Sequence, residues 1–254
     1  MITWSRADLE NWADEIIKDF LGADYTKFAP IDIHKLATEY LGLTVKYEKL
    51  SDNLDVYGVS AFRDTVIDLH RNGTIEKYPI KADTILLEES LQSPELYSTQ
   101  RFTSGHETAH QILRRWENRH AVALLQKEPD VAFSRKHPNT PPPERNWREW
   151  QADTLGASLL MPRRLVDECI FRFGVSDTIT VYGQYSMLKA DRMHISNLSG
   201  FLGVSKQALI RRLLILGYAE RKPQQEYYEK RMVDLLWESK QESRLLPLRR
   251  TYRL

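Results

Sequence analysis

FTSGHETAHQILRRW, residues 102–116, contains the pattern His-Glu-x-x-His once, at His106, Glu107 and His110. The apolar residues around it recur with helical spacing and predict a helix over residues 98–116. Because residues four apart on a helix lie on the same face, the two imidazoles can bind one metal ion. A chance match arises in roughly one in a hundred chains of this composition, so the motif needs support from the rest of the sequence.

A third metal ligand must come from another segment, since catalytic zinc takes three protein ligands and one water molecule. The pattern HExxHxxGxxH is excluded, because its last histidine would fall at Trp116. Glu149 is favoured because it lies on a second predicted helix, 144–165, which can pack against the first. Asp153, one turn later, could accept the outer N–H of a ligand histidine. His137 is the weaker alternative. The full set of downstream candidates is His120, His137, Glu144, Glu149 and Asp153.

This ligand set predicts metal-assisted amide hydrolysis. Zinc held by His106, His110 and Glu149 would lower the pKa of a water molecule to about 7. Glu107 would then take the proton of that water and return it to the leaving amine. Two alternatives stay open: a solvent-facing helix with a chance pattern, and a folded but inactive zinc site.

The net charge and the residue composition of the chain exclude several other classes of protein. The 254 residues carry a net charge of +1, which gives no strong field toward nucleic acid or membrane. The single cysteine, Cys169, excludes an internal disulfide and a cysteine-based zinc cluster, and its apolar surroundings predict an inert core thiol. No signal peptide or membrane-spanning segment is recognisable, so we expect a cytoplasmic protein without membrane partners.

The hydrophobic periods predict an α+β fold. Helices are expected over 5–21, with Ser5 as the N-cap, and over 30–42. Short strands are expected over 43–50, 55–63, 65–71 and 83–90, forming a small antiparallel sheet. The proline-rich stretch 117–145 is expected to be a loop or flap.

The C-terminal part is basic and has a helix-turn-helix outline. Residues 196–218, SNLSGFLGVSKQALIRRLLILGY, predict two short helices separated by Gly203 and capped at Ser205. The candidate nucleic-acid contacts are Lys206, Arg211 and Arg212. The run Leu213–Leu216 speaks against a groove-reading helix because it suggests burial, so DNA is a possible but not a favoured partner.

Four ordered blocks resemble the ImmA/IrrE-type metallo-endopeptidases. They are PIDIHKLATEYLGLTV (30–45), YGVSAF (57–62), RFTSGHETAH (101–110) and EWQADTLGASLLMP (149–162), with a weaker continuation in VSKQALIRRL (204–213). The resemblance implies a zincin-like fold, with His106, His110 and Glu149 as zinc ligands and Glu107 as the catalytic base. It also implies a helix-turn-helix transcriptional repressor as the substrate, whose cleavage derepresses mobile-element or stress genes.

Together these observations predict three regions. Residues 1–165 would form the zincin-like metallopeptidase domain, 166–222 a helix-turn-helix-like helical region, and 223–254 a C-terminal helix and basic tail. An extended substrate segment could add to the strand 83–90 if that strand is a sheet edge. The alternative function is a DNA-binding or partner-binding transcriptional regulator with a vestigial zinc site.

Overall fold

The computed structural model describes residues 4–119, 130–135 and 147–232. The helices are α1 (Arg6–Leu21), α2 (Ile33–Lys35, continued by a π-helical turn over Leu36–Tyr40), α3 (Tyr97–Arg119), α4 (Trp147–Leu160), α5 (Arg163–Arg172), α6 (Lys189–Leu202) and α7 (Lys206–Leu216). The strands are β1 (Thr44–Glu48), β2 (Val56–Ala61), β3 (Thr65–Arg71), β4 (Thr74–Ile80), β5 (Thr84–Glu88), β6 (Val131–Arg135), β7 (Ile179–Tyr182) and β8 (Ala219–Lys222). Three 3₁₀ turns lie over Gly22–Thr26, Glu89–Gln92 and Pro94–Leu96, and residues 224–232 are helical.

The N-terminal helix begins where the sequence predicts. The Ser5 side chain accepts a hydrogen bond from the Asp8 amide, and the Asp8 carboxylate accepts one from the Ser5 amide at 3.0 Å. This reciprocal cap satisfies donors that a helix N-terminus leaves free. Leu9, Ala13 and Ile17 recur every four residues and are buried, which fixes the face that packs on the core.

The main sheet is mixed, and the expectation of an antiparallel sheet is wrong. It has four strands in the order β1-β5-β2-β6. β1 runs parallel to β5, whereas β2 runs antiparallel to both β5 and β6. The parallel pair arises because β5 inserts between β1 and β2, parallel to β1 and antiparallel to β2.

The predicted strand 65–71 is present but belongs to a separate hairpin. β3 pairs antiparallel with β4, which the sequence did not predict. Asn72 and Gly73 connect them with φ angles of 53° and 72°. Two adjacent residues with positive φ suit the right-handed twist of a two-residue hairpin.

The strand near residues 83–90 is central, so the expectation that it could be a sheet edge is also wrong. β5 lies between β1 and β2, and the edges of the described sheet are β1 and β6. β6 falls inside the stretch 117–145 that composition predicted as a loop or flap. Of the rest of that stretch beyond Arg119, only Asp130 is described. His120, His137 and Glu144 lie outside the described residues.

The helices share one hydrophobic core. It contains Leu9 of α1, Leu155 of α4, Cys169 of α5 and Leu213 of α7, each 0 % exposed. The core therefore includes side chains from both sides of residue 165, while the proposed domain boundaries stay a prediction. The buried position expected for Cys169 is confirmed.

The two predicted helices near the C-terminus are present as α6 and α7. Gly203 follows α6 with a φ of 64°, and the Ser205 side chain caps α7 by accepting a hydrogen bond from the Ala208 amide. Leu209 and Leu213 are 0 % exposed, so this face of α7 packs into the core. Among the described residues, no helix combines the length and apolar character needed to cross a bilayer.

Arg212 corrects one of the sequence-based expectations. Its side chain is 2 % exposed, its Nε donates to the Met161 carbonyl at 2.9 Å, and its two Nη atoms bind both carboxylate oxygens of Glu10. A guanidinium engaged in this way cannot face a phosphate backbone. Lys206 and Arg211 do lie on the exposed face of α7.

Candidate metal centre

The helix α3 presents the two motif histidines together. His106 and His110 are one turn apart, each 7 % exposed, and their ring centroids lie 4.6 Å apart. Their Nε2 atoms approach to 3.0 Å. Two buried imidazole nitrogens that face each other at this distance can both reach one cation.

Two glycines bring α4 close to α3. A Cβ atom on Gly156 would lie 2.9 Å from the Gly105 carbonyl oxygen, and a Cβ on Gly105 would lie 3.0 Å from Leu160 Cδ1. Only residues without a side chain allow the backbones to approach this closely. Neither glycine was predicted from the sequence to have a role, although Gly105 directly precedes the motif.

This close packing places Glu149 beside the two histidines. Its Oε2 lies 3.2 Å from His106 Nε2, and its Oε1 lies 3.4 Å from His110 Nε2. One ligand atom from each of the three residues falls within 4.8 Å of the others. The structure thus brings together the three side chains that the sequence predicted as metal ligands.

Asp153 contacts the outer side of the His106 ring. Its Oδ1 lies 2.8 Å from His106 Nδ1, the ring nitrogen that faces away from Glu149. The expected contact between Asp153 and the outer nitrogen of a histidine is confirmed. Such a carboxylate fixes the ring orientation and the tautomer that leaves Nε2 free to bind a metal.

The electrostatics of the group favour a positive charge between the rings. Burial by itself lowers the pKa of His106, but hydrogen bonds to Asp153 and Glu149 and the charge of Glu107 outweigh it and raise the pKa to about 10. Burial likewise opposes ionisation of Glu149, yet its hydrogen bonds to His106 and His110 leave its pKa well below the usual range. Surroundings that stabilise an imidazolium also suit a bound cation.

Glu107 is held separately from the ligand group. It is 0 % exposed, and its Oε2 accepts a hydrogen bond from the Ser60 hydroxyl at 2.6 Å, while Oε1 has no hydrogen-bond partner among the described residues. Gly58 gives it room, because a Cβ there would lie 2.4 Å from Glu107 Oε1. Ser60 and Gly58 both come from β2, and neither was predicted from the sequence to take part in the site.

The donor set fits zinc. Two imidazole nitrogens and one carboxylate oxygen form one of the ligand sets of catalytic zinc, which leaves a coordination position for water or substrate. The orphaned Oε1 of buried Glu107 is consistent with this, because a buried carboxylate oxygen without a partner calls for a ligand or water close by.

A cavity of about 190 Å³ opens next to His110 and Glu149. Phe62, Leu113 and Val131 contribute apolar side chains to its lining, and Val131 belongs to β6, an edge strand of the described sheet. A substrate segment near the metal group would therefore meet both apolar side chains and a sheet edge.

The comparisons with known proteins agree with this geometry. A family model of the M78 peptidases, described as the IrrE N-terminal-like domain, matches residues 38–214. A search of the curated proteins finds no match to the chain. The family match covers more than half of the 254 residues and includes α3, the β2 serine and glycine, and α4. The chain therefore belongs to the IrrE N-terminal-like domain family and carries a metallopeptidase domain.

Proposed function

We propose that this chain is a zinc-dependent endopeptidase and that it cleaves a helix-turn-helix transcriptional repressor. The observation that carries the catalytic part is the position of Glu107. Its fully buried carboxylate accepts a hydrogen bond from Ser60. Glu107 directly follows His106 in sequence, and His106 belongs to a His-His-Glu group able to bind a metal.

The residues divide the chemistry between them. Zinc, when bound by His106, His110 and Glu149, would act as a Lewis acid toward the scissile carbonyl and lower the pKa of a water molecule. Glu107 would accept the proton of the attacking water and deliver it to the leaving amine. Ser60 would keep one Glu107 oxygen in a fixed orientation, so that the other serves as the base.

The repressor substrate follows from the family resemblance, and the sheet offers a physical route for binding it. An extended segment could add to the outer edge of β6, which lies beside the cavity next to His110. Strand addition gives affinity through main-chain hydrogen bonds, and pockets select side chains. We place this reaction in the cytoplasm, where repressors act, and expect it to derepress mobile-element or stress genes.

Co-expression with a helix-turn-helix repressor encoded beside this chain tests the proposal. The wild type should cut the repressor, and Glu107→Gln should abolish cutting while retaining the metal. Glu39→Gln is the matched control, because Glu39 is an exposed glutamate that does not belong to the metal group. Cutting by Glu107→Gln would overturn the role of Glu107, and an intact repressor with metal-loaded wild type would overturn the substrate assignment.

The alternative of a DNA-binding regulator receives less support from the side chains. Arg212 is buried against Glu10, and only Lys206 and Arg211 remain as exposed candidates on α7. Salt-dependent binding of random duplex DNA that Arg211→Glu weakens would favour this alternative.

A further inference from the structure

We propose that the groove between α4 and α7 binds a small amphipathic acid, a molecule with an apolar body and one carboxylate. This α4–α7 groove has a volume of about 310 Å³ and is separate from the cavity beside His110. Its volume is at the lower end of the range of pockets that hold small molecules. The inference goes beyond peptide cleavage and does not depend on it.

The walls of the α4–α7 groove are mainly apolar. Ile215 illustrates this, because its side chain is 44 % exposed although it lines a concave surface. An apolar surface in a concavity is stabilised when a ligand covers it. The apolar lining residues are Phe102, Trp150, Ala157, Ala208 and Ile215.

The charged side chains around the groove favour binding of an anion. Arg6 and Arg211 line it, and within the described part of the chain neither forms an ion pair with a carboxylate. Arg6 instead lies over the Trp150 ring, with 5.7 Å from its Cζ to the centroid. Of the other charged side chains of the lining, Arg212 is paired with Glu10, and Asp153, which binds His106, is one negative charge against the two positive charges of Arg6 and Arg211. The unmatched charge is therefore positive.

The groove is also connected to the metal group. Asp153 lines it and at the same time lies 2.8 Å from His106 Nδ1. A ligand in the groove would contact the carboxylate that orients a metal-binding ring. Occupancy of the groove and metal affinity should therefore be linked, and linkage in binding is reciprocal.

Calorimetric titration of the full chain tests the binding site without any need for catalysis. The probes are 4-phenylbutyrate and 4-phenylbutylamine, which share an apolar body and differ in the sign of their charge. We expect saturable binding of the acid at one site, and at least about tenfold weaker binding of the amine. Arg211→Glu should weaken binding of the acid by about tenfold or more. Arg192→Glu should leave it unchanged, because Arg192 is exposed on α6 and does not line the groove.

The outcomes separate the proposal from its rivals. Equal binding of both probes, no saturable binding of the acid up to about 10 mM, or equal effects of the two arginine variants would overturn the site. A second variant, Ile215→Asp, should also lose binding, and circular dichroism checks that each variant folds. If Arg211→Glu impairs repressor cleavage although the acid does not bind, the groove belongs to the protein substrate and the proposal is wrong.

The link to the metal is measured by zinc titration against a chromogenic chelator, with and without saturating 4-phenylbutyrate. A shift in zinc affinity in the wild type that disappears in Arg211→Glu supports the link through Asp153. An identical zinc affinity under both conditions, or the same shift in both proteins, would overturn it.

Discussion

Glu107 and Glu149 both lie beside the histidine pair, but their surroundings give them different chemistry. Glu107 is completely buried and bound by Ser60, whereas the Glu149 side chain is 34 % exposed and contacts both histidines. His106 and His110 lie four residues apart on one helix, and Glu149 and Asp153 lie four residues apart on another. This spacing made the ligand residues predictable, because helical geometry is local. Ser60 was not predicted, because nothing in the sequence around this strand serine links it to Glu107, 47 positions away.

Glu149→Gln should retain the fold. Its zinc affinity should fall by more than the loss of about 10–100-fold that is expected for a residue that only orients a ligand. The reason is that an uncharged amide is a much poorer zinc ligand than a carboxylate. Asp153→Asn should fall within that 10–100-fold range, since it orients His106 without binding the metal. Competition with a chromogenic chelator measures both. Glu39→Gln is the control, and an unchanged zinc affinity for Glu149→Gln would remove Glu149 from the ligand set.

Cys169 should be unreactive in the folded protein. Burial, together with the nearby charge of Glu168, raises the pKa of its thiol to about 12. The thiolate is therefore nearly absent at about pH 8, and only the thiolate reacts with a disulfide reagent. Ellman's reagent should label no thiol in the native protein and one equivalent after guanidinium unfolding. Rapid labelling of the native protein would contradict the buried position.

At the scale of elements, the sequence predicted which segments are regular better than how they pair. The segments that became β1, β2, β3 and β5 all lie within predicted strands, because each has the composition of a strand. Their partners were missed because pairing is non-local: β1 pairs in parallel with β5, although β2, β3 and β4 lie between them in sequence. β4 was missed because TIEKYPI contains charged residues and Pro79, and only its hairpin with β3 makes it a strand.

The contact between α3 and α4 should be sensitive to a single methyl group. Gly156→Ala places a Cβ about 2.9 Å from the Gly105 carbonyl oxygen, which is too close for the backbones to remain in place. We expect a loss of about 1–3 kcal/mol in the free energy of unfolding, the usual cost of overpacking. We also expect weaker zinc binding, because the shift moves Glu149 and Asp153.

Gly200→Ala is the matched control for this helix contact. Gly200 is exposed within α6, and an added Cβ meets no atom within 4 Å. Alanine there should raise the free energy of unfolding by about 0.5–1 kcal/mol, because it lowers the entropy of the unfolded chain. Urea denaturation compares the two variants. Equal stability changes would show that the close approach of α3 and α4 does not depend on Gly156.

At the scale of the whole molecule, a partly buried ion pair joins α1 to α7. Arg212 of α7 binds Glu10 of α1 across 202 positions of sequence, with Nη2 to Oε2 at 2.7 Å. Its Nε also donates to the carbonyl of Met161, which follows α4. The sequence could show only a cation on a helix with basic neighbours. Whether that cation faces solvent or the core depends on α1, which no local pattern connects to α7.

Glu10→Ala should therefore destabilise the whole fold. It leaves the Arg212 guanidinium buried and without its charge partner, and breaking such a pair by removing one side costs about 3–5 kcal/mol. For a chain of this size the midpoint of thermal unfolding should fall by about 10 °C. Glu15→Ala, exposed on the same helix, should change the free energy of unfolding by less than about 0.5 kcal/mol. Equal melting temperatures for the two variants would mean that the buried pair does not hold α1 against α7. If instead Glu10→Ala lowers stability and Arg212→Met in the same chain restores part of it, the cost lies in the unpaired charge.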